Sequence, residues 1–270
     1  MKYIKYRRFL PLAALLIGLL GLLLRSAEHA SFDLISGLAV ESPMHTLFAI
    51  FLLVSAGLAL LLAWPGRAAA AQGTIAQHFY TTKRLVTVGM LAGPILVILY
   101  GVILLNLSFL GGVMISGVLL ALLAIFSGVC LFLLALACRR KQKIHGLVTL
   151  PVLCFLALLL VITYRTEGRN PVLLTYYLSI LAQASWLMQF YFLAEFSYPP
   201  VRSRGYRFCA MLSIIWGVTA LADVGNFPTL LQNLGFILIS MSFFQAYLES
   251  EVRGFRFPEE KKEPDAEPQP

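Results

Sequence analysis

Residues 112–138 read GVMISGVLLALLAIFSGVCLFLLALAC and run directly into Arg139, Arg140, Lys141 and Lys143. The stretch carries no charge and exceeds the roughly 20 apolar residues a helix needs to cross a bilayer. It stops against a block of cations, as a helix does when it reaches the headgroups. Seven further stretches repeat this pattern, at 9–25, 46–64, 85–105, 147–164, 172–196, 207–223 and 229–248. The reading is an all-α fold, one bundle of eight transmembrane helices over residues 1–257. The remaining residues, 258–270 (PEEKKEPDAEPQP), are charged and Pro-rich and are expected to form a disordered tail.

Composition agrees with this reading. The chain has 270 residues, 59% hydrophobic and 13% charged, with a mean hydropathy of +0.83. Soluble domains lie nearer about 45–50% apolar and about 25% charged. The four cysteines, Cys130, Cys138, Cys154 and Cys209, sit inside apolar runs, which argues against a secreted disulfide framework. Lys2, Lys5, Arg7 and Arg8 precede the first apolar run as they would in a signal peptide. The following Arg25-Ser26-Ala27-Glu28-His29 offers no small-residue cleavage site, so the run reads as an uncleaved first span.

Charge placement sets the sidedness. With the N-terminus cytoplasmic, all of the 21 Lys and Arg residues except Arg25, Arg165 and Arg169 fall in segments on the cytoplasmic side. The positive-inside rule then puts both termini in the cytoplasm. It also accounts for the basic pI of about 9.5 through anionic headgroups, with no nucleic acid as partner. The Leu-rich, loop-poor style points to a bacterial inner membrane, the plasma membrane of such a cell. Between spans, the outer segment 26–45 holds a short apolar run, Phe32 to Val40, expected to be interfacial or re-entrant. The Ala-rich inner segment 65–84 is expected to form a short helix on the membrane surface.

Small residues mark packing faces: Gly117, Ala121, Ala124 and Gly128 in the fourth span, and Gly89-x-x-x-Gly93 before Pro94 in the third. Polar residues at membrane depth mark candidate sites, because they are costly in lipid and tend to face the bundle interior. Tyr176 and Gln183, with Trp186 beside them, lie on one face of the sixth span. Asn233 and Ser240 lie on one face of the eighth, and these five residues are the expected substrate-binding set. Two carboxylates at span ends, Asp223 and Glu195, are candidates for proton coupling. The outer rim gathers Glu28, His29, Asp33, Glu41 and His45 near Arg25.

No catalytic residue and no metal site is expected. The rim matches no zinc spacing, and H-E-x-x-H, Walker, Rossmann and G-x-S-x-G motifs are missing from the sequence. All four His residues fall outside span centres, so no haem and no other cofactor is expected. A lipid-modifying enzyme would need a nucleophile or paired acids at membrane depth, and no such set is found. The sequence reading is therefore non-enzymatic binding or transport of a small-molecule ligand in contact with membrane lipid. The alternative is a sensor or scaffold acting through a membrane-protein partner or as a homo-oligomer.

Overall fold

A computed structural model describes residues 7–30, 43–64, 74–110, 115–167, 177–198 and 203–253. These residues are helical, with no strand among them. The helices are α1 (Leu10–His29, entered through a 3-10 turn at Arg7–Phe9), α2 (Pro43–Ala63), α3 (Ile75–Phe79), α4 (Arg84–Leu110) and α5 (Ile115–Arg139). Next come α6 (Leu150–Glu167, after a 3-10 turn at Gly146–Thr149), α7 (Tyr177–Glu195), α8 (Ser203–Thr219, continued by a 3-10 turn at Ala220–Asp223) and α9 (Phe227–Val252).

Seven of these helical stretches are long and apolar enough to cross a membrane. The sequence reading counts eight; the stretch that falls short is α7, whose 19 residues include Gln183, Ser185, Trp186 and Gln189. Those four side chains are buried inside the bundle rather than turned to its surface. Low hydropathy and interior position thus have one cause.

Local signals set several of the boundaries. Pro11 opens α1 where its missing N–H goes unused. The Asn226 side chain accepts from the Thr229 N–H at 2.9 Å, and Pro228 follows, which starts α9. Helix α1 runs on past residue 25 to His29, so Arg25 and Glu28 belong to a helix face rather than to a loop. Helix α4 reaches Leu110, and the Asn106 amide donates to the Val102 carbonyl within it.

The helices α4, α5, α6, α7, α8 and α9 pack in sequence around a closed ring, with α9 returning against α4. Aromatic rings fill its middle. Phe236 of α9 stacks on Trp186 at 5.1 Å and on Phe155 at 6.0 Å, and Phe155 meets Tyr100 at 6.2 Å. Helix α8 is the most enclosed, with α1 and α2 covering its outer side. Glycines permit the tightest crossings. A Cβ on Gly128 would lie 3.0 Å from the Pro94 carbonyl oxygen, and one on Gly18 would lie 2.9 Å from Val218 Cβ.

The surface position expected for the helix in segment 65–84 is corrected by the structure. Helix α3 is held by a capping box, with the Thr74 N–H donating to Gln77 Oε1 at 2.9 Å, and Ile75, Ala76, His78 and Phe79 are all buried. Phe79 packs edge-on to Phe196 and Tyr206, which plugs one end of the ring. Burial pushes the His78 imidazole down to about 4, so it stays neutral at neutral pH. An unfolded His takes up its proton near 6.5. Stability from this residue is therefore full above about pH 6.5 and falls as the pH drops toward 4. Acidification from pH 7 to 5 should cost about 2 kcal/mol through His78, and His78→Phe should flatten that part of the melting-temperature profile.

Candidate functional site

The contacts define two ends of the bundle. Arg25, His45, Tyr177 and Asp223 meet at one; Arg7, Lys83, Arg207, Glu249 and Glu251 meet at the other.

At the first end, close approach of α1 to α8 brings distant charges together. A Cβ on Gly21 would collide with the Thr219 hydroxyl and the Phe51 ring, so glycine there holds α1 against α8 and α2. One turn further, Arg25 is fully buried. Its Nε donates to Asp223 Oδ1 at 2.8 Å and its Nη1 donates to Glu28 Oε2 at 2.6 Å. The guanidinium also lies over the rings of Phe48 (5.4 Å) and Tyr177 (5.2 Å), and Nη1 donates to the Tyr177 hydroxyl at 3.3 Å. Burial of a cation is tolerated only with this degree of pairing.

Each carboxylate also meets an imidazole. His29 Nε2 lies 2.6 Å from Asp223 Oδ1, and His45 Nδ1 lies 2.7 Å from Glu28 Oε1. The two His side chains are partly exposed, whereas Glu28 and Asp223 are nearly enclosed. Among the described residues, one guanidinium thus faces two carboxylates, and each carboxylate also contacts an imidazole. Asp223 Oδ2 has no hydrogen-bond partner among the described residues. A cleft of about 510 Å³, lined by Ser26, His29, Ala222, Asp223, Val224 and Gly225, leads from the surface to this pair.

Of the rim residues expected from sequence, the structure brings Glu28, His29 and His45 into one network and adds Asp223, which the sequence reading treated apart. Asp33 and Glu41 lie outside the described residues, as does Tyr176. Gln183 Nε2 donates to Thr163 Oγ1 at 3.2 Å. Trp186 is stacked in the aromatic centre, and Asn233 and Ser240 are buried, Ser240 Oγ without a hydrogen-bond partner among the described residues. Glu195 is half-buried at the last residue of α7, at the opposite end from Asp223.

Sequence reasoning missed Tyr177 as a partner of Arg25, and it missed the second cluster altogether. Glu249 accepts from Lys83 Nζ at 2.8 Å and from the Thr81 hydroxyl at 2.7 Å, and Glu251 accepts from Arg7 and Arg207. Ending the last span at residue 248 left both carboxylates outside it, although Glu249 and Glu251 directly follow the apolar run. Among the described residues, no three His, Cys, Asp or Glu side chains gather as a metal site. No family model matches the chain, and neither a curated protein nor a solved structure matches it.

Proposed function

We propose that the chain is an eight-span protein of the plasma membrane, with both termini cytoplasmic, that binds and carries a small cationic solute through its Arg25 end. The observation that carries this reading is the buried Arg25–Glu28–Asp223 network, reached by an open cleft that Asp223 lines and in which its Oδ2 has no hydrogen-bond partner among the described residues. An ammonium or amine group entering the cleft would find Asp223 Oδ2 as an acceptor.

Several features support the membrane arrangement. Helix α7 packs between α6 and α8 as the other long helices do, which supports counting it as a span despite its polar residues. The cations concentrated at the Arg207 end support a cytoplasmic face there, and the sparse cations at the Arg25 end support an outer face. An apolar groove of about 560 Å³ between α4 and α9, edged by Pro11, Leu12 and Lys83, suits the acyl chain of a bound lipid.

Native mass spectrometry of the full chain in a mild detergent tests this proposal. A stoichiometric non-lipid adduct is expected, and it should be lost in Asp223→Asn. Protein that flies bare, or with a second polypeptide alone, contradicts the proposal and favours the scaffold role.

A further inference from the structure

The second charged cluster, at the far end of the bundle, does not balance. Arg7 Nη1 and Arg207 Nη1 donate to the same oxygen, Glu251 Oε1, at 2.8 and 2.9 Å. Two guanidinium groups therefore share one carboxylate. The Arg207 side chain is 1% exposed, so water does not supply the missing counter-charge. Its Nε and Nη2 atoms are buried and have no hydrogen-bond partner among the described residues. Those two atoms form one edge of the guanidinium plane, the fork that pairs with two oxygens of a carboxylate or phosphate.

The surroundings fit an oxyanion rather than an accidental gap. Ser203 lies one turn before Arg207 on α8, and Tyr247 lies one turn before Glu251 on α9; Ser203, Arg207 and Tyr247 are buried, and the Glu251 side chain is 8% exposed. Next to Arg207, Tyr206 is fully buried, its ring 5.2 Å from that of Tyr247. The cluster opens on the side of Arg7, its most exposed member at 17%. It lies where α1 and α8 begin and α9 ends, the level at which a span meets the headgroups and their phosphates.

We propose that the Nε–Nη2 edge of Arg207 binds a phosphate group, with Arg7 as the second cation and Glu251 as the acidic competitor that both cations share. A phospholipid headgroup and free phosphate both present this group, and the chemistry at Arg207 is the same for both. The site is separate from the Arg25 network, so either proposal can fail without the other.

The test measures thermal stability of the full chain in maltoside detergent. One arm adds inorganic phosphate against potassium chloride at matched ionic strength. The other adds phosphatidylglycerol against a phosphate-free glucosyldiacylglycerol. At least one phosphate probe is expected to stabilise the wild type saturably. Arg207→Lys keeps the charge and loses the fork, and should weaken the apparent affinity by about tenfold or more. Glu251→Gln removes the competitor and should tighten it, an effect opposite to that of breaking a structural ion pair. Saturation by inorganic phosphate assigns a free phosphate, and a response to phosphatidylglycerol alone assigns a headgroup. If neither probe stabilises the wild type, or if Glu251→Gln responds no more strongly than wild type, the proposal is overturned.

Discussion

Arg25→Met is expected to destabilise the bundle by about 3–5 kcal/mol, read as a fall in melting temperature of roughly 10 °C in detergent. The size follows from what remains behind. Glu28 and Asp223 are nearly enclosed, and without the guanidinium each would lose its ion-pair partner between the rings of Phe48 and Tyr177, with the imidazoles of His45 and His29 still in contact. One of them must take up a proton or draw in water. Asp223→Asn placed on top of Arg25→Met should therefore recover part of the loss, because it removes the orphaned charge. A double-mutant cycle would show this as a coupling energy of at least about 1 kcal/mol. A melting temperature unchanged by Arg25→Met would mean that the network behaves as an exposed ion pair, worth about 0–1 kcal/mol.

Gly93→Val should be nearly as damaging, about 3 kcal/mol, by a purely steric route. A Cβ at Gly93 would lie 2.8 Å from the Gly235 carbonyl oxygen and 3.1 Å from the Ile239 backbone nitrogen. Neither obstacle is the end of a flexible side chain, so α4 and α9 must separate along their contact. The same seam also depends on Gly235, whose own Cβ would meet the Gly93 carbonyl oxygen at 3.0 Å. Gly57→Ala is the matched control: nothing lies within 4 Å of a Cβ there, and stability should hold. Comparable melting curves for Gly93→Val and Gly57→Ala would show that the α4–α9 contact is looser than described.

These two residues illustrate what could be read from sequence. Gly89 and Gly93 announce a packing face because small residues four apart on an apolar helix have few other uses, and the structure sets α9 against that face. The long apolar runs are equally legible, since hydropathy over about 20 residues is a local property. The charged network is not local. Arg25 and Asp223 are 198 positions apart, and only the α1–α8 contact joins them. The sequence Arg25-Ser26-Ala27-Glu28-His29 reads as a loop because charges normally end a span, yet here the helix continues because each charge finds a partner on a neighbouring helix. Helix α3 failed for the opposite reason. Its capping box is visible in Thr74 and Gln77, but five residues carry too little periodic pattern to show that the helix is buried beneath aromatic rings.

In the proposed topology the Arg25 network opens to the outside and both termini lie inside. The most direct test labels intact cells with a membrane-impermeant thiol reagent, using Gly225→Cys at the mouth of the cleft and, separately, Gln269→Cys in the tail, each in a cysteine-free background. The account predicts that Cys at 225 is labelled in intact cells and Cys at 269 only after permeabilisation. Labelling of both in intact cells would require an even number of crossings between cleft and tail, where α9 supplies one, and protection of position 225 would place the network on the wrong side; either contradicts the account.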